Sequence, residues 1–272
     1  WKVTDYLFSK EEKRLALIAQ RQAVPNLSDT IDIAHTQSIK DLYSDVKTNS
    51  GEDYITAYGR ILSSVIRNFP TLTSVTKLDL EGARIVALDL DEVAKSGSAA
   101  ADKQTAVMYM LARHVLAQSY FLHITDIEKI PKIYHKFHKE NLKVIMEEPK
   151  RMVFDEFHRT SKSPVVREQI VQDMREGRKW KIHISLASQS LKDFDPLMIE
   201  FATSIFILDS GSASSIDETC KVFGLTDTEK QALSTRVHGP SSNGSTFIAQ
   251  FVTKHGLNTQ LLTSTISGVE LW

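Results

Sequence analysis

The stretch Arg151-Met152-Val153-Phe154-Asp155-Glu156-Phe157-His158-Arg159 decides how the rest of this chain is read. Three apolar residues lead into two adjacent carboxylates. A short continuous apolar run is the pattern of a strand buried on both faces, as in a parallel sheet covered by helices. In open α/β sheets, ligands sit in the crevice beyond the carboxyl ends of the strands. A strand ending in paired acids delivers both to that place. In phosphoryl-transfer sites of this kind, the first acid helps hold a hydrated Mg²⁺ at the β- and γ-phosphates of ATP. The second polarises the attacking water as a general base. Taken alone, the pair is more simply a strand that ends in solvated charge.

Downstream, the pattern predicts a helix over residues 164–176, with Pro164 in its first turn and Gly177 as its stop. The cluster Met174-Arg175-Glu176-Gly177-Arg178-Lys179-Trp180 follows. Basic residues at a helix end commonly complement the helix dipole. They can also supply an arginine finger to a neighbouring subunit's nucleotide, Arg178 first and Arg175 as its rival. A second strand, over 181–187, leads into Ser188-Gln189-Ser190. Gln189 at that tip can contact a γ-phosphate or the attacking water, or be an ordinary loop amide.

The remaining pattern alternates in the same way. A short helix is expected over 196–202, a strand over 203–209, and helices over 215–223 and 227–234. Strands over 246–252 and 259–263 form a possible hairpin. Upstream, 84–90 reads as a strand, 95–98 as a loop, and 101–122 and 131–148 as long helices. Near the N-terminus, Ser9 and Glu12 have capping-box spacing, and Pro25 and Asn26 end the segment that follows. Apolar residues at Ile39, Leu42 and Val46, then from Ile55 to Ile66 at i, i+3, i+4 intervals, mark two more helices. The expected fold is α/β, a mostly parallel sheet flanked by helices. A helical subdomain is expected over 1–80 and the core with the acidic strand over 81–272.

Composition narrows the function classes. At 272 residues the chain can bury a full α/β core. Its net charge of −1 lacks the basic excess of a dedicated nucleic-acid binder. The single cysteine, Cys220, can form no internal disulfide and fits a reducing compartment. No run of 18 apolar residues occurs, so no membrane span is expected. The chain opens on Trp1 without an initiating Met and closes abruptly on Glu270-Leu271-Trp272, as expected for a piece of a longer protein.

Taken in order, Asp155-Glu156, a helix, Arg178-Lys179-Trp180 and Ala187-Ser188-Gln189-Ser190 resemble the large cytoplasmic ATPases of type IV secretion systems. These belong to the HerA/FtsK-like branch of RecA-type motors. Asp155-Glu156-Phe157-His158-Arg159-Thr160, Val222-Phe223-Gly224-Leu225-Thr226 with Glu229, and Ser267-Gly268-Val269-Glu270-Leu271-Trp272 look like the Dot/Icm subfamily. The resemblance is best from about Arg84 onward.

It implies a RecA-like fold and hydrolysis of ATP with Mg²⁺. By position, Asp155 would be the Mg²⁺-side carboxylate, Glu156 the base, Gln189 the γ-phosphate sensor and Arg178 the trans-acting finger. The implied partners are copies of the same chain in a hexamer, other secretion components at the inner membrane, and protein effectors as cargo. The implied location is cytoplasmic, attached to the membrane through those partners. One departure matters: Gly-x-x-x-x-Gly-Lys followed by Ser or Thr, which cradles the phosphates, does not occur. In the family that loop lies upstream of the acidic strand, so it is expected before Trp1, and the chain alone is expected to bind nucleotide weakly or not at all.

Two other classes share these features. A DNA translocase of the same branch would carry every motif, although the near-zero net charge disfavours nucleic acid as a partner. A non-catalytic docking or scaffold module would carry Asp155 and Glu156 as mere strand-end charges. Lesser candidates have simpler readings. His135 and His138 lack a further ligand at metal-site spacing, and His114 and His123 read as helix histidines. Lys132, Lys136, Lys139 and Lys143 read as a wet helical face, with partner or nucleic-acid contact as the alternative. Ser163, His158 and Asp155 lack the strained elbow of a hydrolase triad. Cys220 sits in an amphipathic helical pattern.

Overall fold

The computed structural model describes residues 1–70, 83–90, 98–159, 163–209 and 211–265. Its contacts divide the chain into two units, Trp1–Glu148 and Pro149–Trp272.

The described part of the first unit is helical. Its helices are α1 (Lys2–Ser9), α2 (Lys13–Ala23), α3 (Leu27–Ala34), α4 (Gln37–Leu42), α5 (Tyr54–Asn68), α6 (Ala99–Ala117) and α7 (His135–Glu147). The Asn26 side chain accepts from the backbone of Ser28 and Asp29 and starts α3 in a capping box, so Asn26 opens a helix as well as following one. Asp53 starts α5 by accepting from the Thr56 N–H. The expected box at Ser9 and Glu12 does not form. Ser9 ends α1 and donates its hydroxyl to the Tyr6 carbonyl, while Glu12 precedes α2 without a side-chain cap. A helix-ending hydroxyl has a free carbonyl within reach, and that contact takes it away from the next helix start. Phe8 of α1 packs edge-on against Tyr134 and Phe137, and this joins α1 to α7.

The strand expected over 84–90 is not formed. Ile85 is 92% exposed, and Arg84 reaches Glu148 at 3.5 Å. An apolar run makes a strand only if a neighbour completes its ladder, and none pairs with it among the described residues. The two long helices are shorter than expected. α6 gives way to a 3₁₀ turn at Gln118–Phe121, and α7 follows one at Lys132–Tyr134.

The second unit is α/β. Strand β1 (Lys150–Phe154) pairs in parallel with β2 (Ile182–Leu186), with Lys150 opposite Ile182 and Phe154 opposite Leu186. Helix α8 (Pro164–Trp180) connects them and buries Val166, Ile170 and Val171. Then come α9 (Pro196–Phe201), β3 (Ser204–Ile207), α10 (Ala213–Phe223), α11 (Asp227–Thr235), β4 (His238–Ser241), β5 (Gly244–Thr253) and β6 (Gly256–Ser264).

The expectation of a mostly parallel sheet is met only by β1 and β2. Strand β5 pairs antiparallel with β3, β4 and β6. Only Lys254 and His255 separate β5 from β6, and so short a turn dictates antiparallel pairing. Gly256 at φ 115° serves that turn. Ile207, Leu233, Val237 and Ile248 form the core beneath α10 and α11. Strand β4, with all four residues exposed, was not expected; its Gly-Pro centre gives no strand signal.

Gly177 does not stop α8. The helix runs to Trp180, and Lys181 ends it at φ 54°, in the left-handed region. Gly177 has a different task. A Cβ there would stand 3.0 Å from the Ile182 carbonyl oxygen, so the missing side chain lets α8 lie against the start of β2.

Candidate functional site

Parallel pairing places the carboxyl ends of β1 and β2 at one edge. The ladder continues past both strands: Ala187 N–H donates to the Phe154 carbonyl (3.0 Å) and Phe157 N–H to the Ala187 carbonyl (2.8 Å). Asp155 and Glu156 therefore leave the sheet beside Ala187, Ser188 and Gln189. Three of the sequence-predicted residues, Asp155, Glu156 and Gln189, share this edge. Asp155 and Gln189 are exposed and Glu156 is half-buried.

The turn is shaped by one buried ring. Phe157 is 0% exposed and stacks on Phe194 at 5.8 Å. For the chain to bring that ring inward directly after the acid pair it must bend, and Glu156 takes the left-handed conformation at φ 52°. For a residue with a Cβ this costs about 1–2 kcal/mol, offset here by burial of the ring. The Glu156 N–H donates to Asp155 Oδ1 at 3.0 Å, and the Arg159 N–H donates to the Glu156 carbonyl at 3.0 Å. His158 Nδ1 stands 3.0 Å from Glu156 Oε2, with both side chains about four-tenths exposed. On the facing loop, Ser188 donates its hydroxyl to Asp193 Oδ2.

Arg178 and Arg175 are elsewhere. Helix α8 returns from the carboxyl edge of the strands to their amino edge. There Lys150 N–H donates to the Lys181 carbonyl and Lys150 Nζ to the Trp180 carbonyl, both at 2.9 Å. Arg178, one turn from Lys181, belongs to that amino edge and is exposed. Five residues of strand separate the two edges by roughly 13 Å. Arg175 lies 5.7 Å from the centroid of the Phe201 ring on α9. It lines a groove of about 660 Å³ along α8, between Pro164 and Glu176, that does not include Asp155, Glu156 or Gln189.

The chemical capacity of the edge follows. Exposed Asp155 offers a carboxylate with one oxygen already accepting from Glu156, which suits an outer ligand of a hydrated divalent ion. Glu156 offers a second carboxylate within one residue. No group of three or more His, Cys, Asp or Glu able to hold a metal occurs among the described residues. His135 Nε2 lies 3.0 Å from the Ile130 carbonyl, and burial holds the His138 imidazole below its ordinary pKa. Burial also pushes the Cys220 thiol up, against the core of α10 and α11. No helix among the described residues is long and apolar enough to cross a membrane.

The sequence reading missed the part played by Phe157 and Phe194, which shape the turn, and it weighed His158 only in a hydrolase triad, whereas the ring stands beside Glu156. An apolar residue directly after the acid pair was the one available signal, since a solvated acidic turn has no reason to carry it. Thr226 and Glu229, part of the family resemblance, form a capping box on α11, which accounts for that spacing structurally. Thr160 and residues 267–272, also used for the resemblance, lie outside the described residues, as do 95–97. No protein-family model matches the chain, and no curated protein matches it.

Proposed function

We propose that the chain is the C-terminal part of a RecA-like ATPase that powers type IV secretion. The resemblance runs to the Dot/Icm member, IcmB or DotO. One observation carries the proposal: Asp155, Glu156 and Gln189 leave the same edge of the parallel pair β1–β2, held there by the Phe154–Ala187–Phe157 ladder. Parallel pairing brings whatever follows β1 and β2 to one edge, and here that is two carboxylates and a glutamine, the residue types this chemistry uses.

In this reading ATP is the substrate and Mg²⁺ its counter-ion. Bound Mg²⁺ would neutralise phosphate charge. Asp155 would hold its water shell, Glu156 would receive the proton of the attacking water, and Gln189 would orient that water or the γ-phosphate. Arg178 stands at the opposite edge from these residues, so within its own chain it faces away from the nucleotide. That position suits a finger offered to the next copy in a ring. Phosphate grip requires a Gly-Lys loop that these 272 residues do not contain. Protein effectors as cargo, a hexameric assembly and attachment at the cytoplasmic side of the inner membrane through partner proteins belong to the same proposal.

The test is ATP hydrolysis by the full-length gene product that contains this chain, with Mg²⁺ and without. Glu156→Gln is expected to lower kcat by at least about 100-fold while nucleotide still binds. Hydrolysis that survives this change intact would sink the reading. Salt-sensitive DNA binding that stimulates the activity would instead favour a DNA translocase.

A further inference from the structure

We propose that the outer edge of β6 pairs with β6 of a second copy of this chain, antiparallel about a two-fold axis at Gln260. The proposal is independent of the ATPase reading. It rests on the unequal edges of the antiparallel sheet. Strand β5 lies inside, with β6 along the whole of one side, Ser264 opposite Ser245 and Gly256 opposite Thr253. Strands β3 and β4 share its other side. Strand β4 is a defended edge: it has four residues, contains Pro240, and shifts register between His238 and Ser241. Strand β6 has no such defence. Its nine residues, Gly256-Leu257-Asn258-Thr259-Gln260-Leu261-Leu262-Thr263-Ser264, carry no charge and no proline, and they hold one register throughout. No strand among the described residues pairs with its outer side.

The ladder fixes which groups are offered. The Val252 N–H donates to the Thr203 carbonyl on the β3 side at 2.9 Å. Backbone groups alternate sides along a strand, so Phe251 and Thr253 bond Asn258 and Gly256 opposite them. Leu257, Thr259, Leu261 and Thr263 therefore turn their N–H and C=O outward. A row of such groups is a template for another strand, and copies of the chain meet it wherever the protein accumulates. Symmetric pairing about Gln260 sets Thr259 opposite Leu261 of the second copy and Leu257 opposite its Thr263, so all four outward residues bond. No like charges meet. Leu257, 56% exposed, gains a neighbour. The two-fold uses the same edge of both copies, so the pair closes and leaves no β6 edge for further growth.

Sedimentation velocity of the full-length gene product at micromolar concentration tests this. Wild type is expected as an assembly of an even number of chains. Gln260 is exposed, so a charge there is expected to leave the circular dichroism spectrum unchanged. Gln260→Lys sets two ammonium groups across the axis and is expected to halve the mass of the assembly. Gln260→Glu is expected to do the same. Mixing the two variants is expected to restore the wild-type mass, because lysine then faces glutamate. Register is read by disulfide trapping with oxidised glutathione. Cα atoms of a non-hydrogen-bonded antiparallel pair stand about 4.5 Å apart, within disulfide reach, so Gln260→Cys is expected to link two chains. Leu257→Cys is expected not to, because its two copies lie six positions out of register, roughly 20 Å apart. A single-chain mass for wild type, a mass that Gln260→Lys leaves unchanged, or a mixture that stays at half mass would overturn the proposal. So would trapping at 257 as efficient as at 260.

Discussion

At residue scale, Glu156 and Gly177 show how one position can be decided by its neighbour. Glu156 occupies left-handed space because Phe157 must be buried beside Ala187. Gly177 looks like a helix stop but is a packing glycine. Replacing it with alanine adds up to about 1 kcal/mol of helix propensity. Against this, the new methyl would meet the Ile182 carbonyl oxygen at 3.0 Å, a backbone atom that cannot swing aside. Overpacking of this kind costs about 1–3 kcal/mol, so Gly177→Ala is expected to be net destabilising by about 1 kcal/mol. A lowered urea midpoint at unchanged slope would show it. A raised midpoint would mean that α8 does not lie against Ile182 as described.

At element scale, helix ends carry most of the local information. Asn26, Asp53, Ser98, Ser212 and Thr226 each accept from the first turn of the helix they precede. A cap acts over three residues, yet the sequence reading took none of these five as caps, and the one box it expected, at Ser9 and Glu12, does not form. Nor could the end of α8 be read. Lys181 ends it in left-handed space at φ 54°, a place where glycine is cheaper. Lys181→Gly retains the backbone carbonyl that Lys150 uses, so it is expected to stabilise the second unit by roughly 0.5–1 kcal/mol. A higher urea midpoint with an unchanged slope is the measurement. The change also leaves β1–β2 register intact, so any activity of the full-length protein is expected to persist.

At the scale of the whole molecule, long-range contacts hold each unit. In the first unit the Tyr134 hydroxyl bonds Asp5, 129 residues away in sequence. Burial, and then the Asp5 carboxylate, push the Tyr134 phenol up to about 12. Because the folded value lies above the ordinary one near 10, the contact stabilises fully below pH 10. It is lost as pH rises through about 12. Phenolate absorbance is expected to show one of the seven tyrosines titrating late, and Tyr134→Phe is expected to remove that late step. Loss of only a tyrosine with an ordinary midpoint would count against the contact. In the second unit, Ile207, Leu233, Val237 and Ile248 join α11 to β3 and β5, and this core is assembled across more than 40 residues of chain.

The sequence by itself determined the local elements of the second unit, apart from β4 and the end of α8, and the acidic end of β1. Apolar runs, capping residues and prolines act over a few positions, so their signal is complete within a short window. It also identified Asp155, Glu156 and Gln189 as strand-end residues. Only the tertiary structure decided which strands pair. It confined the expected parallel pairing to β1 and β2, turned β3 toward β5, and gave 84–90 no ladder among the described residues, because strand partners are chosen by burial and hydrogen bonding across long stretches of chain. For the same reason only tertiary structure could separate Arg178, at the amino edge, from the carboxylates that share the sequence motif with it. Direction along the sheet is a property of the folded pair β1–α8–β2, and no short window of sequence contains it.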